Sequence, residues 1–247
     1  MQKSVTVISC KYSYRENIKE NYHTYNSLEE ASKEIFDSTN CTFEVLQNDE
    51  RRIYLDIEKI DDTDTDDKIV NGLIQKVMEY YKINDKDNYV LTKNVKSNQH
   101  KGLSYHLILP YKINADDLMK SLVAFTMDNP EYSSFIDIGV YSKVRLFRLP
   151  DNCKMRPNGL DPEDVHKIVH GKFEDSIIQD VNDVPSIDLS HLRDRIDRVT
   201  GNEIRDAKKK CYLNNMSPDK EQRLTERIEK IEKMLEALMS KLNVAIE

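Results

Sequence analysis

Residues 53–60 read Ile-Tyr-Leu-Asp-Ile-Glu-Lys-Ile, and this stretch decides how the rest of the chain is read. Ile53, Leu55 and Ile57 alternate with Tyr54, Asp56 and Glu58, the period of a strand with one buried face. Alternation points Asp56 and Glu58 the same way, about 7 Å apart between Cα atoms. A solvated edge strand can carry such a pair too. Here the apolar partners mark the opposite face as core, and Arg51 and Arg52 precede the strand. Two carboxylates on one face of a buried strand repel each other and are costly to desolvate, so they favour a cation. Hard oxygen ligands suit Mg²⁺ or Mn²⁺.

Two further stretches follow in fixed order. LSYHLILP, residues 103–110, places Ser104 and His106 on one face of a strand and Leu103, Tyr105 and Leu107 on the other. A histidine on a strand is commonly a hydrogen-bonded structural residue; after an Asp-x-Glu strand it is a candidate phosphate contact, with the serine orienting its ring. FIDIGVYSKVRLFRLP, residues 135–150, offers Asp137 as a third carboxylate that would complete a two-metal site. Its alternative role is a strand-end turn residue beside Gly139. Lys143, Arg145, Arg148 and Lys154 cluster around this motif. Arginine binds phosphate bidentately, although both arginines could instead pair with surface acids.

The net charge of −7 would argue against a nucleic-acid binder if it were evenly spread. It is not: residues 49–67 alone hold nine acids, and the basic cluster lies elsewhere in the sequence. With 33% charged and 38% hydrophobic residues in 247, the chain reads as a soluble, intracellular protein of one large or two small domains. No apolar run is long enough to span a bilayer, and the start lacks the apolar core of a signal peptide. The four cysteines, Cys10, Cys41, Cys153 and Cys211, form no Cys-x-x-Cys pair and read as free thiols.

Strands are expected near 3–9, 42–47, 52–60, 88–93, 103–109, 135–141 and 144–149. Helices are expected from Ser27, a capping box, to about Phe36, from about Asp66 to Lys82, and from a cap at Asn114 with Leu118, Leu122 and Phe125 on one face. This is an α+β body ending near residue 180, with 151–190 as peripheral turns and 181–216 as a charged, partly helical connector. Leu224, Ile228, Ile231, Leu235, Leu238, Leu242 and Ala245 are spaced 4-3-4-3-4-3, so residues 217–247 read as a coiled coil that makes a homo-oligomer through 224–245. A single amphipathic helix packed on the body is the alternative.

Asp-x-Glu, then Ser-x-His, then Asp137 followed by VYSKVRLFRLP resembles the archaeo-eukaryotic primase superfamily, in particular its primase-polymerase branch of eukaryotes, large DNA viruses and mobile elements. The segment IDIGVYSKVRLFRLPDNCK, residues 136–154, is the most specific part, and the resemblance covers roughly residues 40–155. It implies a catalytic core whose RRM-like sheet carries the acidic strand. It also implies that Asp56, Glu58 and Asp137 are catalytic and bind two Mg²⁺ or Mn²⁺ ions. Ser104 and His106 would contact the incoming dNTP or NTP, and Lys143, Arg145 and Arg148 nucleotide or template phosphate. The expected activity is DNA-directed priming or primer extension on single-stranded DNA. Many relatives have Asn where Val144 and Leu146 stand, which leaves the choice of sugar open. Relatives that start primers often carry a zinc module; His166, His170, Cys153 and Cys211 fit no common zinc spacing. Viral relatives are often fused to a helicase; here a helicase is expected as a separate partner.

Two other sites fail on spacing. Asp62, Asp64 and Asp66 begin like a calcium loop, but Asp67 stands where glycine is required and Leu73 where glutamate is. No P-loop is present. A metal-dependent nuclease is the first alternative; Lys59, adjacent to Glu58, points to the wrong face for it. A catalytically silent, primase-like nucleic-acid-binding scaffold acting through the coiled coil is the second.

Overall fold

The computed structural model describes residues 5–10, 22–25, 30, 41–60, 66–94, 103–142, 144–156, 159–179, 181 and 183–214. All but Glu30 of the expected first helix, the acidic loop before Asp66, Lys143 and the coiled coil lie outside the described residues. The chain divides into two compact units, Met1–Cys211 and Tyr212–Glu247. The first is mixed α+β.

Its elements run β1 (Val5–Cys10), β2 (Tyr22–Tyr25), β3 (Cys41–Leu46), β4 (Glu50–Ile60), α1 (Asp66–Tyr80), β5 (Val90–Asn94), β6 (Leu103–Asn114), α2 (Ala115–Asp128), β7 (Arg145–Arg148), β8 (Cys153–Arg156), β9 (Gly159–His170), α3 (Arg193–Asp197) and α4 (Gly201–Asn214). They build two antiparallel sheets, one of four strands in the order β2-β1-β3-β7 and one of five in the order β4-β6-β5-β9-β8.

Helix α1 forms because Val70, Leu73, Ile74 and Val77 recur on one face and bury it. Helix α2 starts where Asn114 accepts a hydrogen bond from Asp116 N at 3.0 Å, with Asp116 and Asp117 in the first turn, where the helix dipole favours acids. Its Leu118, Leu122 and Phe125 are buried as the spacing predicts. The helices are stitched together by a 2.6 Å hydrogen bond between the Tyr81 and Ser121 hydroxyls. Leu55, Ile57, Tyr105 and Leu107 join both helices in one core, leaving the other face of β4 and β6 to Asp56, Glu58, Ser104 and His106.

β4, α1, β5, β6 and α2 succeed one another in the order of a β-α-β-β-α-β unit. The last strand of that unit, expected over 135–141, is not formed. Ile136 makes an isolated antiparallel bridge to Ile57 on the free edge of β4, and Ile138–Val140 is a turn of 3-10 helix. The reason is local. Asp137 accepts a hydrogen bond from Gly139 N at 2.7 Å, which curls the backbone away from the ladder.

Two further expectations are corrected. Residues 151–190 are not peripheral turns throughout, because β8 and β9 extend the five-stranded sheet, β9 pairing with β5. The chain beyond 180, read as a connector, puts Leu189, Leu192 and Ile196 into the same core.

Candidate functional site

Three carboxylates meet at the edge of β4. Asp56 and Glu58 come from alternate positions of the strand. Asp137 is brought to them by two backbone hydrogen bonds, Glu58 N to Phe135 O at 2.8 Å and Asp137 N to Asp56 O at 2.9 Å. The Tyr141 hydroxyl donates to Tyr54 O at 2.8 Å and fastens the far end of the turn. Each carboxylate offers an oxygen, and these oxygens all lie within 4.8 Å of one another. All three residues are half-buried. Among the described residues this is the group of acid, histidine or cysteine side chains close enough to share a cation.

Burial and like charge dominate the electrostatics at Asp56. Burial pushes the Asp56 carboxyl well above the usual carboxylate range; the charges of Glu58 and Asp137 push it further, and Arg145 and Arg148 pull it back. A carboxyl that burial, and then neighbouring like charges, hold back from ionising would be favoured in its charged form by a divalent ion.

The neighbouring strand supplies the next shell of groups. His106 lies directly across from Asp56 in the β4–β6 register, its Nε2 3.9 Å from Asp56 Oδ1. Its ring sits 4.3 Å from the Phe147 ring, a contact between the two sheets, and Phe147 also meets Tyr54 edge-on at 5.1 Å. Phe147 and Arg145 share one face of β7, and Arg145 is exposed.

Arg148 is differently engaged. Its guanidinium donates to Asp164 O at 2.8 Å and pairs with the Asp164 carboxylate at 3.3 Å, both side chains largely buried. It ties β7 to β9 while its charge still reaches Asp56. Lys143 lies outside the described residues, as does the side chain of Lys154.

In the sequence His166 figures only in a Cys/His set that fits no common zinc spacing. It sits 1% exposed beneath the site, stacked on His106 with centroids 4.0 Å apart and planes 17° apart. Its Nε2 is 2.9 Å from Ser104 Oγ and its Nδ1 3.0 Å from Thr92 Oγ1. His170 is elsewhere, stacked on Tyr89 and bonded to Asp87 O. No local motif marks His166; only the pairing of β9 with β5, which sets Asn94 opposite His166, brings it there.

No protein-family model matches the chain, and no curated protein is significantly similar to it. No described helix is long and apolar enough to cross a membrane.

Proposed function

We propose that the protein is a metal-dependent nucleotidyltransferase that extends or starts primers on a single-stranded DNA template. The observation that carries this reading is the convergence of Asp56, Glu58 and Asp137, in the order expected of a primase-polymerase, beside His106 and Ser104.

The donor set fits the implied metal. Three carboxylates with oxygens within 4.8 Å suit Mg²⁺ or Mn²⁺, which take oxygen ligands and keep several waters. Two such ions, if bound there, would supply Lewis acidity for a primer 3′-hydroxyl and positive charge for a departing pyrophosphate. The chain's own groups do the rest. Asp56, Glu58 and Asp137 would hold the ions. His106 and Ser104, on the same face of the sheet as Asp56, face the triphosphate. Arg145 adds an exposed positive charge against the phosphates as charge develops in the transition state. Arg148 acts mainly by fixing β7, and so Phe147 and Arg145, against β9. The chemistry is attack of the 3′-oxygen on the α-phosphorus, with cleavage of the bond to the pyrophosphate bridging oxygen and release of the hydroxyl proton.

A labelled primer annealed to a DNA template, incubated with dNTPs and Mn²⁺, tests the proposal. A ladder of longer products that disappears in an Asp56→Ala/Glu58→Ala variant is the expected result. A metal-dependent ladder of shorter products would make the protein a nuclease. An unchanged primer would leave a nucleic-acid-binding scaffold.

A further inference from the structure

We infer that Thr92, His166 and Ser104 form a hydrogen-bond relay that fixes the direction of the Ser104 hydroxyl and presents its proton to a phosphoryl oxygen of the substrate. The inference deepens the reading of this face as nucleotide-binding and rests on it. Neither Thr92 nor His166 belongs to any of the motifs that suggested the function.

The relay can be solved from its closed end. Thr92 is fully buried, and His166 Nδ1, at 3.0 Å, is its hydroxyl's hydrogen-bond partner among the described residues. A buried hydroxyl proton is rarely left without an acceptor. Were Nδ1 protonated, Thr92 could only accept from it, and the threonine proton would be stranded. Thr92 therefore donates to Nδ1. The same argument rules out the doubly protonated ring, in which both nitrogens are donors. His166 is then the neutral tautomer with its hydrogen on Nε2, and Nε2 donates to Ser104 Oγ across 2.9 Å.

Ser104 is the open end of the relay. Having accepted from His166, its oxygen keeps its own proton to give away, and among the described residues no acceptor takes it. Ser104 is half-buried, so this open end of the relay is the end that substrate can reach. The backbone fixes the residue as well, Ser104 N donating to Asn94 Oδ1 at 2.9 Å. The stack of His166 on His106 holds the ring plane, so the donor cannot swing away. The result is a pre-aimed O–H donor in the same strand as His106, two residues away and on the same face. An anionic phosphoryl oxygen suits it.

His166 and Thr92 are thus positioning residues acting through Ser104, and a double-mutant cycle tests this. KM and kcat for dATP would be measured on an oligo(dT) template with a dA primer and Mn²⁺, with the melting temperature of each variant alongside. Ser104→Ala is expected to raise KM about tenfold with kcat little changed, the loss of one hydrogen bond to a charged acceptor. Thr92→Val, which keeps the buried shape, should raise KM several-fold, Thr92→Ser should restore it, and in the Ser104→Ala background Thr92→Val should add nothing. The ¹⁵N shifts of the His166 ring should report a protonated Nε2 and a bare Nδ1. Additive effects of the two substitutions, or a protonated Nδ1, would overturn the relay while leaving the proposed function intact. Failure of the wild type to incorporate dATP at all would overturn the function and the relay with it.

Discussion

Replacing Gly139 by alanine should damage the carboxylate cluster's capacity for metal while sparing the fold. A Cβ at this position would stand 2.8 Å from Asp137 Oδ1, well inside the roughly 3.5 Å at which non-bonded heavy atoms sit comfortably. The carboxylate must therefore swing by several tenths of an ångström. In doing so it gives up the 2.7 Å hydrogen bond from residue 139 N. That bond is exposed, and its loss costs about 1 kcal/mol, which lowers the melting temperature of a chain this size by roughly 2–4 °C. The displaced carboxylate is one of the three that converge, and losing a hydrogen bond that orients a metal-binding side chain typically weakens metal affinity by about 10–100-fold. Calorimetric titration with Mn²⁺, paired with a thermal melt, separates the two effects. A large loss of affinity at nearly unchanged stability is the expected outcome. Wild-type affinity in Gly139→Ala would refute the placement of Asp137 in the site, and a collapse in stability would show that Gly139 serves the fold instead.

Other consequences can be checked together. Because burial and like charge raise the Asp56 pKa, the metal-free protein should lose stability as pH rises through that raised value; Asp56→Asn should flatten this loss, and Mg²⁺ should offset it in the wild type, both read by denaturant melts at several pH values. Glu44 is fully buried on β3, accepts from Ile178 N at 2.9 Å and Gln179 N at 2.7 Å, and burial pushes its pKa up to about 7. Its protonated form is favoured by folding, so its contribution is present below about pH 4.5 and is lost as pH rises to about 7, by up to ~3 kcal/mol; Glu44→Gln should remove that part of the pH slope in the same melts. Phe147→Ala should cost about 3–5 kcal/mol by equilibrium unfolding, and should weaken nucleotide binding as well, because the ring packs on His106.

The parts of the site that could be read in the sequence are those where a simple period governs. Alternation in β4 and β6 placed Asp56 with Glu58 and Ser104 with His106, and the register of the two strands set His106 across from Asp56. Helical spacing and the Asn114 cap located α1 and α2. Asp137 was legible as a candidate ligand, with the turn beside Gly139 as its alternative role; what the sequence misplaced is the strand expected over 135–141. The run FIDIGVY alternates like a strand, yet the bond from Gly139 N to the Asp137 carboxylate favours a turn, and no propensity scale contains that bond. β9 was hidden for a different reason. Asp161, Pro162, Glu163 and Asp164 make it look like a loop, and it becomes a strand through pairing with β5 and β8 and through the buried Arg148–Asp164 ion pair. His166 travels with that strand. A residue whose function comes from a partner 62 or 74 positions away leaves no local trace.

Counting bound Mn²⁺ by electron paramagnetic resonance, with dATP present, tests the carboxylate centre most directly. The wild type should hold two ions per chain, and an Asp56→Asn/Glu58→Gln variant of unchanged fold should hold none tightly. Equal Mn²⁺ occupancy in the two proteins would contradict the assignment of these carboxylates as the metal site.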